Sequence, residues 1–236
     1  PLREKLDFEQ DRVTHEALLD LTRQSVAELN QLHELNRGAS WPSLAELPDV
    51  LTPAFERAQR QLHGPRTAVT GRPKRSLLSF YFRRAAIDGM TDPFFLEILI
   101  NHEVLPFERS FIVAHEWAHL AGYADESEAN FVGWLTCLAG DAAARYSGWL
   151  FLTPHLFGNL PDGDRRATYA ALETGPRRDL DAVASRLARS TPVVRRNARR
   201  VYDRFLKANR VADGIASYGV VVELVLGARG SWDRGE

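Results

Sequence analysis

The run Phe111-Ile112-Val113-Ala114-His115-Glu116-Trp117-Ala118-His119 constrains this chain more than any other segment. The residues around its two histidines and one glutamate are apolar and helix-compatible, so the run reads as a helix buried in a core. Polar side chains in such a place need partners. On a helix, residues four apart are offset by about 40° and one turn of rise. His115 and His119 therefore address one point from one face. Two imidazoles at that spacing suit Zn²⁺, which takes nitrogen ligands and, in catalytic sites, keeps one position open for water. Glu116 stands beside the first histidine, where it can take a proton from an attacking water and later pass it to a leaving amine. The HExxH pattern thus points to a zinc-dependent peptidase, with His115 and His119 as ligands and Glu116 as the catalytic base.

A third protein ligand is needed, and Asp125, Glu126 and Glu128 compete for the role. Gly122 completes the spacing HExxHxxGxxD, which would select Asp125, but that arrangement goes with a methionine turn downstream. The chain's single methionine, Met90, lies upstream. The alternative is a helix break at Gly122-Tyr123 and a second helix starting at Glu126. Glu126 and Asn130 then share a face, so Glu126 can bind the metal while Asn130 hydrogen-bonds a ligating histidine. Glu128 points about 200° away from Glu126. Glu126 is the preferred ligand and Glu128 its competitor.

A chain of 236 residues can form one domain with a substantial core. A net charge of -1 provides no global field toward nucleic acid. The basic run from Arg195 to Arg210 lacks the interleaved aromatics that stack on bases. The expected partner is therefore a peptide or protein substrate, not nucleic acid. The basic run itself reads as a helix with a cationic face, either solvated or set against anionic lipid or another chain. Cys137, the single cysteine, has no internal disulfide partner and reads as a buried, inert thiol. No run reaches the roughly 18 apolar residues that a membrane helix needs. The chain begins with Pro1 rather than Met, so we expect a fragment or a processed form.

Leucines at 18, 21, 29, 32 and 35 predict one long amphipathic helix over residues 6–36, ending near Gly38. Residues 38–53, punctuated by prolines, read as a connection, followed by a shorter helix to Gly64. Residues 64–76 read as a basic loop. Leu77 to Phe82 and Phe94 to Ile100 read as short strands joined by a turn around Asp88-Gly89 and Asp92-Pro93. From residue 126 the pattern is helical, with breaks expected near Gly148, Pro154, Pro161, Gly175-Pro176, Pro192 and Gly214. The expected fold class is α+β: a mostly helical zincin domain with a small sheet ahead of the HExxH helix. It is read as a single domain over 1–236, with an N-terminal helical segment at 1–63 and the zincin core at 77–228.

Other residues complete the chemistry. The strand Phe95 to Ile100 is expected to offer an edge for main-chain pairing with an extended substrate. Tyr218, Tyr146 and His155 are candidate donors to the oxyanion of peptide hydrolysis. Tyr218 ranks first, because Ser217-Tyr218-Gly219 is a polar break in an apolar stretch. His102-Glu103 lacks a second histidine at helical spacing and reads as loop.

The run HEWAHLAGYADESEANF, His115 to Phe131, resembles the bacterial family called domain of unknown function 3810. Further matches are Ala144 to Leu150, Val201 to Lys207, Gly214 to Gly219 and the upstream Gly89 to Phe94. The resemblance spans about residues 77 to 228. The E-x-x-A-[DN] pattern is also similar to that of membrane-associated gluzincins, whose first Glu is the third zinc ligand. Carried over, that residue is Glu126. The resemblance implies a gluzincin-like fold, bound Zn²⁺, and a bacterial full-length form anchored in a membrane by a segment outside this chain. Asp125 stands where the family usually has a basic residue, and Asp92 where it often has Asn. Two rival readings accompany the peptidase: a non-catalytic zinc-binding regulatory or partner-binding protein that keeps the HExxH site, and a structural helical module without metal. Glu116 argues for catalysis, since a structural zinc site needs no general base.

Overall fold

The computed structural model describes residues 2–62, 70–92, 95, 97–191 and 218–232. It opens with α1 (Leu2–Lys5), a short 3-10 turn, α2 (His15–Leu35) and α3 (Leu47–Gln61). The single helix expected over 6–36 is shorter: residues 6–14 form turns, and the helix begins only after Thr14. That residue is extended, and its hydroxyl accepts a hydrogen bond from the Ala17 amide at 3.1 Å. This is a threonine cap, which serves an amide with no partner inside the helix and so fixes the start of α2. α3 begins within the stretch expected to be a connection. Pro48 lies in its first turn, where a backbone N–H would have no intrahelical acceptor and its absence costs no hydrogen bond, and Pro53 lies inside it. The fully buried face Leu47, Leu51, Ala54, Phe55 and Ala58 holds α3 helical through Pro53.

A three-stranded sheet follows, built from β1 (Pro73–Arg75), β2 (Gly89–Asp92) and β3 (Glu97–Ile100), with α4 (Ser79–Ala85) between β1 and β2. The strand order is β1-β3-β2, parallel between β1 and β3 and antiparallel between β2 and β3. Three expectations are corrected here. Leu77 to Phe82 is a turn leading into α4, not a strand. The Ser76 hydroxyl accepts from the Leu78 amide, the Ser79 hydroxyl donates to the Ser76 carbonyl, and burial falls on Ser79, Phe82 and Ala85 at helical spacing. Gly89 belongs to a strand rather than a turn. The strand expected from Phe94 is β3 and starts at Glu97.

The helices after the sheet are α5 (Arg109–Leu120), α6 (Glu126–Leu138), α7 (Ala142–Asn159), α8 (Asp162–Ala170), α9 (Thr174–Ala188), α10 (Tyr218–Gly227) and the short α11 (Arg229–Trp232). The breaks expected at Gly148 and Pro154 do not occur, because both residues lie inside α7. Gly148 is a packing glycine: a Cβ there would sit 2.6 Å from the Cys137 Cβ on α6. The breaks expected at Pro161 and Gly175-Pro176 correspond to the starts of α8 and α9. Pro192, Gly214 and the basic run 195–210 lie outside the described residues.

One apolar cluster joins Leu29 of α2, Phe55 of α3, Trp117 of α5, Trp134 of α6, Trp149 of α7 and Val225 of α10. α5 lies at its middle, packed on α3, α6, α7 and the sheet. The fold is therefore mostly helical with a small sheet. Among the described residues no helix is long and apolar enough to cross a membrane.

Candidate metal centre

α5 carries the HExxH motif, and its first turn is fixed from two directions. The Phe111 amide donates to the Ser147 hydroxyl of α7 at 3.0 Å, and Glu108 at the helix entrance accepts from the Leu105 amide. The far end closes in a Schellman turn. The Gly122 amide bonds the His119 carbonyl, the Tyr123 amide bonds the Ala118 carbonyl, and Gly122 takes the left-handed φ of 95° that this turn requires. The turn delivers the Tyr123 carbonyl to His119 Nδ1 at 2.8 Å. A carbonyl only accepts, so Nδ1 carries the proton and Nε2 is left with its lone pair free to ligate.

The second helix starts where the sequence placed it. Asp125 is the cap of α6, its carboxylate accepting from the amides of Ser127 and Glu128, and so it is no ligand. Glu128 turns away and accepts from the Leu2 amide at 2.5 Å. Glu126 faces α5. Its carboxylate oxygens lie 3.5 Å from His115 Nε2 and 3.5 Å from His119 Nε2, and the two ring nitrogens are 3.2 Å apart. In a tetrahedral zinc site with ligands near 2.05 Å, neighbouring ligand atoms are separated by about 3.3 Å. Among the described residues, this is the group of histidine and carboxylate side chains whose donors converge closely enough for a metal ion. The donor set, two imidazoles and a carboxylate, fits Zn²⁺.

Glu126 reaches the histidines because α6 approaches α5 closely. On α6, Glu126, Asn130 and Gly133 share a face at i, i+4 and i+7. A Cβ at Gly133 would lie 3.0 Å from the His115 backbone nitrogen and 3.1 Å from its Cα. Burial works against a charge on His115, but Glu126, Glu116 and Asn130 together outweigh it and raise the ring's pKa above its ordinary value. Asn130 approaches this ring without completing the expected hydrogen bond: His115 Nδ1 is buried and makes none of standard geometry.

Glu116 lies at the boundary between α5 and β2 and is 4% exposed. Its carboxylate accepts from the Thr91 hydroxyl at 2.8 Å, and that hydroxyl is also 3.1 Å from the Glu116 carbonyl. Gly89, on the same face of β2, makes the room: a Cβ there would fall 2.6 Å from Glu116 Oε1. Among the described residues β2 is an outer strand of the sheet, whereas β3 lies between β1 and β2. The expectation that Phe95 to Ile100 offers a free edge is thereby corrected, since β3 has both sides paired. The strand beside Glu116 is β2.

Arg186 of α9 ties the two parts together. Its guanidinium forks onto Glu108 at 2.6 and 2.9 Å and onto Asp88 at 2.5 and 3.2 Å. Asp88 immediately precedes β2 and Glu108 immediately precedes α5, so one buried cation sets the strand against the helix. Burial pushes the Glu108 carboxyl up in pKa, more than the guanidinium holds it down.

The candidate oxyanion donors separate. The Tyr146 hydroxyl donates to Asp179 at 2.6 Å and is committed there, while burial, with Asp179, pushes its pKa up. His155 packs on Phe151, which stacks on Phe111 one turn ahead of His115, and burial lowers its pKa. Tyr218 opens α10, and its side chain lies outside the described residues. Thr91, Gly133 and Arg186 are the residues that sequence reasoning missed. Gly133 alone had a legible signal, its place on the Glu126 face.

A family model described as "Protein of unknown function (DUF3810)" matches residues 1–226. The chain belongs to the DUF3810 family. The match reaches well ahead of residue 77, so α1 to α3 are part of the DUF3810 unit as much as the helices around the centre. No curated protein and no solved structure matches the chain.

Proposed function

We propose that this DUF3810 member is a gluzincin-like zinc peptidase, hydrolysing peptide bonds with Glu116 as general base. The observation that carries the reading is the convergence of His115, His119 and Glu126 at tetrahedral spacing, one residue from a buried glutamate. His115 and His119 would hold the ion through Nε2, and Glu126 through its carboxylate. When bound, zinc polarises a substrate carbonyl and acidifies the attacking water. The Tyr123 carbonyl keeps His119 in the ligating tautomer. Glu116 takes the proton of the attacking water and returns it to the leaving amine. Thr91 positions that carboxylate from the strand side, and the outer strand β2 supports binding of an extended peptide by main-chain hydrogen bonds.

The test compares zinc-loaded wild type with Glu116→Gln on a random peptide mixture, reading new termini by mass spectrometry. Wild type is expected to cleave. Glu116→Gln is expected to be slower by roughly 10²- to 10⁴-fold with unchanged zinc content. A wild type that holds zinc and cleaves nothing, or a Glu116→Gln protein as active as wild type, rejects the peptidase reading.

A further inference from the structure

The segment from Thr70 to Ile87, TGRPKRSLLSFYFRRAAI, contains five cations and no acid, in a chain whose net charge is -1. Its centre also carries an uncovered apolar surface. Leu77 is 102% exposed, Leu78 56%, Phe80 59% and Tyr81 46%, which places four of the large exposed hydrophobics of the described residues within five consecutive positions. The inner face of α4, formed by Ser79, Phe82 and Ala85, is buried, so the element is anchored from below while its outer side faces water. The cations flank this apolar tip. Lys74 and Arg75 precede it on β1, and Arg83 and Arg84 follow it, their guanidiniums 5.3 and 4.3 Å from the Phe80 ring. Acids from outside the segment pair with two of these cations: Glu97 with Lys74, and Glu103 with Arg83 at 3.2 Å, while Asp88, just past the segment, is held by Arg186. Each is matched by a cation, and Arg72, Arg75 and Arg84 keep the surface positive.

We propose that this tip is a membrane-surface anchor: Leu77, Leu78, Phe80 and Tyr81 enter the headgroup–acyl boundary of an anionic bilayer, and Arg75 and Arg84 bind lipid phosphates around them. Exposed leucines on a projecting turn suit a fluid apolar medium that needs no preformed groove. Aromatic rings settle at headgroup depth, and arginine side chains reach the phosphates along their own apolar stems. Each cation near an anionic surface adds to the attraction, and salt weakens it. The anchor stands just ahead of β2, with Ala86, Ile87 and Asp88 between them, so docking holds the strand that meets Glu116 at the membrane surface.

The experiment is co-sedimentation of the full chain with vesicles of phosphatidylcholine alone or of phosphatidylcholine with phosphatidylserine, at low and high salt. It reads binding without any catalytic activity, so its outcome is independent of the peptidase reading. Wild type is expected to partition into the phosphatidylserine vesicles at least roughly tenfold better than into the neutral ones, with binding weakened by salt. L77S/F80S and R75Q/R84Q are each expected to lose roughly tenfold of that binding. Both variants alter exposed side chains, and an unchanged melting temperature checks that they fold. If one fails to fold, the other decides. The proposal is overturned by wild type that ignores anionic vesicles or binds neutral ones equally well. Undiminished binding by a folded variant also overturns it, as does a self-association that the same substitutions abolish while no vesicle binds.

Discussion

The α5–α6 pair carries every side chain of the candidate centre, whereas β2 only braces Glu116 from outside, and the two are built differently. The histidines and Glu126 sit on two long helices whose faces meet through Gly133, in the middle of the apolar core. The strand that meets Glu116 is four residues long, and its hold on α5 is polar: one hydroxyl from Thr91 and one guanidinium from Arg186. Close packing tolerates little change in volume, whereas a polar tie fails when a single partner is removed. The proposed metal binding and the placement of Glu116, the proposed general base, should therefore be separable by mutation.

The largest effect expected from breaking the polar half is on stability. Arg186→Met strands Glu108 in the core and loosens Asp88, and should lower unfolding free energy by about 3–5 kcal/mol in a denaturant titration. The folded fraction should still bind zinc. A loss below about 1 kcal/mol would mean that the strand is held by something other than this network. On the packed side, Gly133→Ala forces α6 away from His115 and should cost about 1–3 kcal/mol while weakening zinc affinity. Calorimetry with zinc checks this, and an unaltered affinity would show that Glu126 does not depend on the helix approach. The smallest effect is at Thr91. Thr91→Val keeps the shape and removes the hydroxyl, so kcat should fall roughly tenfold with KM and zinc affinity unchanged, while Thr91→Ser restores it. An equal loss in both variants would point to packing instead.

The same contrast explains what the sequence made legible. The HExxH spacing, the break at Gly122-Tyr123 and the helix start at Glu126 depend on contacts a few residues apart, and each is found where local pattern put it. Cys137 is buried as expected, and burial pushes its thiol up in pKa. The strand–helix error at Leu77 to Phe82 arose because apolar and aromatic residues favour either element, and only tertiary burial of Ser79, Phe82 and Ala85 decides. Pro53, Gly148 and Pro154 mislead for the same reason, since burial of the residues before and after them keeps their helices continuous. Thr91 and Arg186 act across 25 residues to Glu116 and 98 residues to Asp88, distances at which a single sequence gives no pairing signal.

Zinc titration of metal-free protein by calorimetry, with metal content measured in parallel, tests the centre most directly. Wild type should take up a single zinc, Glu126→Ala should lose most of that affinity, and Glu128→Ala should retain it. Wild type that stays metal-free in excess zinc, or Glu126→Ala that binds as tightly as wild type, would contradict the assignment.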